Sequence, residues 1–130
     1  MASALYPPFL EGLLNKEQDL NTDTIKVALV NTTTDYTYSA AHDQLADVTT
    51  YAGTTAQTIA SPTIVSGVFD GADVTFSAVA ISGSKDVEAL VIYNDTTAGN
   101  ELIAYIDGFT AITPNGGDIT ITWGANIFSL

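Results

Sequence analysis

The only histidine of the sequence, His42, lies beside Ser39 and Asp43, and these three residue types make up a hydrolytic triad. Their spacing argues against that chemistry. Ser39 lies at the start of a predicted helix, where a serine side chain caps the first backbone N–H groups. The sequence also lacks the Gly-x-Ser-x-Gly turn that exposes a nucleophile. We therefore expect no enzymatic activity from these residues.

Carboxylates are the other candidate catalytic groups, because a glycosidase needs two of them about 5–10 Å apart, with one in an apolar setting. Glu88 and Glu101 are the acids that fall within β-patterned segments. Each stands at the start of a predicted strand, so we expect both to face solvent. A small sandwich also leaves little room for a sugar cleft, and we predict no catalytic pair.

Two predicted loops, residues 70–73 and 94–101, carry the oxygen ligands that Ca²⁺ prefers. Neither loop matches an EF-hand, and Asp and Asn also cap tight bends with their own side chains, which is the role we favour here. The sequence contains no cysteine and no arginine, so thiolate metal sites and bidentate phosphate clamps are excluded. We expect no metal and no cofactor.

The charge balance argues against nucleic acid and membrane as partners. Fifteen Asp and Glu face three lysines, for a net charge of −12 that repels polyanions. No apolar run reaches the roughly 20 residues of a membrane span, and no signal peptide is visible. Charged residues make up only 14% of the chain, and interface cores are similarly poor in charge. We therefore expect a protein that binds other proteins, although Thr-rich surfaces also arise simply because Thr suits exposed strands.

Three segments are candidates for contact with a partner protein: an amphipathic N-terminal helix, a polar loop with two tyrosines, and an apolar C-terminal end. Tyrosine is enriched at interface hot spots. The candidate residues are Leu5, Phe9, Leu10, Leu13, Tyr36, Tyr38, Ile127 and Phe128. Each segment has an alternative within its own domain: the helix stripe seals the core, the tyrosines are core or strand residues, and the end pairs as a last strand.

We expect a single domain, residues 1–130, built mainly of short strands, to position these candidate residues. Helical apolar spacing predicts an N-terminal helix over 4–16 and a second short helix over 40–48, and alternation predicts a strand over 24–30. Further strands are predicted at 57–59, 63–69, 74–81, 87–93, 102–106, 110–112, 119–123 and 126–130. Short strands at roughly ten-residue spacing predict an antiparallel β-sandwich, jelly-roll-like or Ig-like.

Seven sequence blocks, in a fixed order, cover nearly the whole chain. The first reads Leu-Tyr-Pro-Pro-Phe-Leu-Glu-Gly-Leu-Leu-Asn and the last reads Thr-Pro-Asn-Gly-Gly-Asp-Ile-Thr-Ile-Thr-Trp. The blocks are residues 5–15, 23–30, 36–43, 67–76, 88–93, 102–107 and 113–123. In this combination they resemble a family of small structural proteins encoded by tailed bacteriophages.

The resemblance implies a virion protein, above all a capsid decoration (cement) protein. Such proteins are typically β-rich trimers that sit on the outer shell and bridge major capsid subunits. The implied partners are therefore the major capsid protein and further copies of this chain, with no catalytic residues to carry over. A tail, baseplate or receptor-binding fibre-knob component is the alternative that the resemblance leaves open.

Overall fold

Ten short β-strands and one α-helix make up the fold in a computed structural model that describes residues 3–124 and 126–130. The strands form antiparallel sheets around one core, so the predicted mainly β, sandwich-like class is confirmed. The elements are β1 (Ala4–Leu5), α1 (Pro7–Leu14), β2 (Ile25–Val30), a 3-10 turn (Leu45–Asp47), β3 (Gln57–Thr58), β4 (Thr63–Val65), β5 (Val68–Asp70), β6 (Val74–Phe76), β7 (Ala89–Asn94), β8 (Leu102–Ile106), β9 (Ile119–Ile121) and β10 (Phe128–Ser129).

The largest sheet has five strands in the order β1-β8-β7-β2-β3. Strand β7 lies at its centre, and all six of its residues are buried. Its sequence is apolar at successive positions because neither face meets water. Strand β2 pairs with β7 along its whole length, with Val27 opposite Ile92.

Two smaller sheets complete the fold. One has the order β10-β5-β4 and the other pairs β6 with β9. Both contribute to the same hydrophobic core as the large sheet, through Phe69 of β5, Phe76 of β6 and Ile121 of β9. The core therefore holds the three sheets together.

The N-terminal helix is shorter than the predicted 4–16. Residues 4 and 5 are extended, because Ala4 pairs with Tyr105 at the edge of the large sheet. The two prolines that follow occupy the first helical turn, where a missing N–H costs no hydrogen bond. The helix ends before Lys16, whose φ of 61° is left-handed. In the described part of the chain, no helix has the length and apolar character that crossing a membrane requires.

The second predicted helix, 40–48, is wrong apart from the 3-10 turn. Long-range backbone bonds hold this segment instead: the Leu45 N–H donates to the Asn100 carbonyl at 2.9 Å, and the Leu102 N–H donates to the Asp43 carbonyl at 2.9 Å. Pairing with the segment before β8 replaces the local bonds of a helix. The Ser39 hydroxyl oxygen accepts the Ala41 N–H in a local turn rather than capping a helix.

Several strand predictions change in the same way. The predicted strand 63–69 is a hairpin, because Ser66 and Gly67 both have positive φ (52° and 78°), as a two-residue turn requires. The predicted strand 74–81 stops at Phe76, since a positive φ at Ala78 ends the extended backbone. Segment 110–112 retains only an isolated bridge between Ile112 and Val87. Strand 102–106 has its predicted bounds.

Candidate interaction site

Four tyrosines and the single histidine form an aromatic cluster beside β8. The ring centroids of Tyr38 lie 5.1 Å from Tyr6 and 5.2 Å from Tyr105. The Tyr36 ring lies 6.2 Å from Tyr105 and 5.5 Å from His42. Tilted aromatic pairs at these separations attract one another. The cluster therefore fixes the loop that follows β2 against the large sheet.

A chain of hydrogen bonds runs through the cluster. The Tyr6 and Tyr36 hydroxyl oxygens are 2.7 Å apart, and the Tyr36 hydroxyl lies 2.9 Å from His42 Nδ1. Burial raises the pKa of Tyr6 far above its ordinary value and also raises the pKa of Tyr36. Burial therefore makes ionisation of both phenols less favourable than in an exposed tyrosine. The side chain of His42 therefore contacts Tyr36 rather than Ser39, whose hydroxyl oxygen accepts the Ala41 N–H of its own turn.

Glu88 holds the loop that carries Tyr36 and Tyr38. Its Oε1 accepts hydrogen bonds from Asn31 Nδ2 at 2.7 Å, the Thr32 N–H at 3.1 Å and the Thr33 N–H at 3.0 Å. The Thr33 hydroxyl also lies 2.9 Å from both carboxylate oxygens. The expectation that Glu88 faces solvent is therefore wrong, because the backbone N–H groups of the turning loop need an acceptor.

A cavity of about 180 Å³ opens beside the aromatic cluster, and we call it the tyrosine pocket. Tyr36 and Tyr105 are buried and form its floor, whereas Tyr38 and Asp107 are half-buried at its rim. Its lining residues are Thr32, Tyr36, Thr37, Tyr38, Tyr105 and Asp107. Burial, and after it the nearby charge of Asp107, raises the pKa of Tyr105 to about 12.

The N-terminal and C-terminal candidate segments meet each other in the structure. The Phe128 ring stacks on Phe69 at 5.1 Å and meets the edge of Phe9 at 6.0 Å. Leu5, Ile127 and Phe128 border one depression of about 190 Å³. Strand β10 pairs with β5, so here the C-terminal end is a last strand, the alternative named above.

The eight predicted contact residues differ in their accessibility. Phe9, Tyr36 and Ile127 are buried in the core of their own chain, and Leu5, Leu13, Tyr38 and Phe128 are half-buried. Leu10 alone among the eight is exposed, at 40%. The eight do not include the neighbouring Leu14, which belongs to the same predicted helix and is 87% exposed.

The predictions also missed three exposed apolar side chains near the turn between β4 and β5, which we call the apolar edge: Ile64 and Val65 of β4, and Leu130 after β10. These side chains are 48%, 67% and 68% exposed, and β4 and β10 are the two outer strands of the sheet, on opposite sides of β5. The Leu130 N–H donates to the Gly67 carbonyl at 2.9 Å, which places Leu130 beside the hairpin turn. Outer strands present unpaired N–H and C=O groups to other chains.

A sequence signal could have identified the apolar edge. Residues 48–69 and 119–130 contain no charged side chain, although the whole chain carries −12. These two uncharged runs supply β4, most of β5, and β10, which form one sheet. The two uncharged runs therefore indicate where an apolar surface could form. Their proximity, however, depends on the pairing of β10 with β5, which the sequence does not show.

Glu88 and Glu101, the two acids considered for catalysis, have structural partners. Glu88 precedes β7, whereas Glu101 lies beside Asn94 at the other end of this strand, about 20 Å away at the usual rise per residue. That separation is too long for a glycosidase pair. Glu101 is half-buried rather than solvent-facing, because Gln18 Nε2 donates to its Oε2 at 2.7 Å, and burial raises its pKa.

The two predicted calcium loops differ. In loop 94–101, Asn94 Oδ1 accepts the Thr96 N–H at 2.9 Å and caps a bend, as predicted. Residues 71–73 form no turn: Asp73 Oδ1 accepts the distant Trp123 N–H at 3.0 Å, and the buried Asp70 Oδ1 has no hydrogen-bond partner among the described residues. Across residues 3–124 and 126–130, no three His, Cys, Asp or Glu side chains are grouped to hold a metal ion.

No protein family model matches this chain, and comparisons with curated proteins and with solved structures found no match.

Proposed function

We propose that this chain is a bacteriophage virion structural protein, and that it acts as a capsid decoration protein that binds the outer shell and bridges major capsid subunits. The observation that carries the proposal of a binding role is the apolar edge, three exposed apolar side chains that lie in uncharged parts of a strongly acidic chain. The phage setting is supported by the resemblance of the ordered sequence blocks.

The apolar edge sets the scale of the interaction. Burying a fully exposed Ile, Val or Leu contributes about 1.5–3 kcal/mol. Because Ile64, Val65 and Leu130 are half to two-thirds exposed, their burial contributes about 3–5 kcal/mol. Association also costs translational and rotational freedom, so one copy alone should bind at best with about millimolar affinity.

Such weak contacts explain why the proposed protein acts as an oligomer on a repeating surface. Joining several copies around a symmetry axis makes the second and third contacts intramolecular, which strengthens attachment by about 10²–10⁴-fold. We therefore propose a homotrimer whose copies bind neighbouring shell subunits together. The uncharged edge also lessens the repulsion that two acidic surfaces would otherwise experience.

The test is binding of the purified protein to expanded phage shells that lack it. We expect saturable binding of the wild type, and at least tenfold weaker binding of Val65→Lys. Ile81→Lys is the matched control, because it adds the same charge at a site that is 64% exposed and outside the apolar edge. Absence of binding by the wild type, with labelling of the tail instead, would favour the tail or baseplate alternative and contradict the capsid proposal.

A further inference from the structure

Another cavity, of about 420 Å³, is lined mainly by residues of β7, β8 and β9 and of the segments that follow β8 and β9, and we call it the uncharged cleft. It has more than twice the volume of the tyrosine pocket, which is about 180 Å³. Small-molecule sites usually have volumes of roughly 300–1,000 Å³. Leu90 and Ile127 are buried at its floor, so the cleft rests on the core. It is therefore large enough, and firmly enough supported, to hold a small ligand.

The lining of the cleft excludes charged ligands. None of the described residues that line it is charged, although the whole chain carries −12. A charged group that entered the cleft would lose part of its hydration and gain no counter-charge in return. The cleft therefore favours an uncharged ligand.

Two aromatic side chains, Trp123 and Phe109, give the cleft its apolar walls, and both are half-buried. The Trp123 Nε1–H donates to the Ala72 carbonyl at 2.9 Å, and the Trp123 backbone N–H donates to Asp73 Oδ1 at 3.0 Å. The only polar atom of the indole is thus satisfied within the chain, and the ring offers a ligand hydrocarbon surface alone. Because these bonds hold the ring before a ligand arrives, binding requires little ordering of the protein.

Polar groups at the rim complete the cleft. Thr110, Thr122 and Asn126 line it and are exposed. Within residues 3–124 and 126–130, their side chains form no hydrogen bond with another residue. A threonine hydroxyl and an asparagine amide can each both donate and accept. The cleft therefore matches a ligand that has an apolar face and several hydroxyl groups at its edge.

We propose that the uncharged cleft binds the pyranose ring of a neutral saccharide. The C–H groups on a face of the ring carry slight positive charge and pack against the negative faces of the Trp123 and Phe109 rings. The sugar hydroxyls bond to the polar groups at the rim. A purely apolar ligand would leave those groups without a new partner. The inference goes beyond the proposed function and does not depend on it.

The direct test is an NMR titration with three probes that share a six-membered ring: methyl β-D-glucopyranoside, methyl β-D-glucuronide and cyclohexyl methyl ether. The ring substituents of the glucoside are all equatorial, so both of its faces present C–H groups. The glucuronide adds a carboxylate, and the ether lacks the hydroxyls. Trp123 is the only tryptophan of the chain, so its indole N–H gives one assignable signal beside the amides of Ile121 and Thr122.

We expect the glucoside to shift these signals in a saturable way. The glucuronide and the ether should each bind at least about fivefold more weakly, because one meets no counter-charge and the other makes fewer hydrogen bonds. No saturable shift from the glucoside would overturn the proposal. Equal or tighter binding of the ether would show an apolar groove, and equal binding of the glucuronide would show that charge is not excluded; either result would also overturn it.

Matched variants test the aromatic wall. Trp123→Phe and Trp123→Leu both lose the bond to the Ala72 carbonyl, but only the first keeps an aromatic face. Read from the backbone amides, glucoside binding by Trp123→Phe should stay within about threefold of the wild type, and Trp123→Leu should weaken it by about tenfold. Equal binding by the two variants would contradict the packing of the sugar on this ring.

A second matched pair tests the polar rim. Thr122→Val removes one hydroxyl with little change in shape and should weaken glucoside binding by about threefold to fivefold. Thr22→Val makes the same change at an exposed threonine that does not line the cleft and should leave binding unchanged. A Thr122→Val protein that binds as tightly as Thr22→Val would contradict the role of the rim.

These outcomes are distinguishable from failure of the proposed function, because the titration uses the free protein. Failure of the wild type to bind shells would contradict the capsid proposal, and the glucoside titration would still decide what the cleft binds. Normal shell binding without a saturable response to the glucoside would overturn the saccharide site alone.

Discussion

Replacing Glu88 by alanine tests whether one carboxylate organises the loop that carries Tyr36 and Tyr38. The change removes the acceptor of Asn31 Nδ2 and of the Thr32 and Thr33 N–H groups. Asn31 is 2% exposed and keeps its bond to the Asp86 carbonyl at 2.8 Å. The loop therefore loses its central partner but retains an anchor at its start.

The magnitude follows from the environment of each donor. A hydrogen bond to a charged group contributes about 1.5–3 kcal/mol, but exposed donors regain most of this from water. Thr33 is exposed and should be compensated, whereas Asn31 and Thr32 are less accessible. We expect a loss of about 2–3 kcal/mol in the free energy of unfolding. For a domain of this length, that loss lowers Tm by about 6–12 °C.

Urea denaturation followed by circular dichroism measures the effect. Glu88→Gln keeps an oxygen acceptor without the charge and should lose only about 1 kcal/mol. Glu11→Ala, on the exposed face of α1, should change stability by no more than about 0.5 kcal/mol. Amide hydrogen exchange at Thr32 and Thr33 should accelerate in Glu88→Ala. A stability equal to that of Glu11→Ala, with unchanged exchange, would refute the role assigned to Glu88.

Three further predictions concern stability and pH. Asn94 is fully buried, and its side chain bonds to Gln18, Asp23 and two backbone N–H groups, so Asn94→Ala should cost about 3 kcal/mol by denaturant titration; a loss below about 1 kcal/mol would contradict this. Burial raises the pKa of Glu101, so the native state binds its proton more tightly and wild-type stability should fall, relative to Glu101→Gln, as pH rises from about 4 to 7. A stability difference that does not vary with pH would argue against that burial. Burial also raises the pKa of Tyr105 to about 12, above the roughly 10 of an unfolded tyrosine, so stability should fall above about pH 10. Tyrosinate absorbance of the buried rings should then rise together with unfolding, and full ionisation of a still-folded protein would oppose the prediction.

The local sequence pattern correctly predicted those strands whose pairing in the fold agrees with their own β-propensity. Strand β8 occupies the predicted residues 102–106, and the central strand β7 was recognised from its continuous apolar run. The second helix failed because residues 43–45 find hydrogen-bond partners more than fifty residues away. Such long-range pairing overrides a short helical pattern, since a helix of this length gains little stability alone.

The candidate site was also only partly predictable, because long-range strand pairing brings its residues together. The sequence singled out Tyr36 and Tyr38, but their partners Tyr6 and Tyr105 come from the two ends of the chain and meet only through the pairing of β1 with β8. The role of Glu88 also escaped prediction, because a carboxylate at a strand start looks exposed until a distant loop turns over it. The apolar edge needed the pairing of β10 with β5 in the same way.

The most direct test of the account is to locate this subunit in the phage particle by electron microscopy. We predict hundreds of copies on the outer shell, arranged as trimers between major capsid subunits, with the apolar edge facing a neighbouring protein. A protein absent from the particle, or one that is a free monomer turning over a substrate, would contradict the claim that this chain works through its surface.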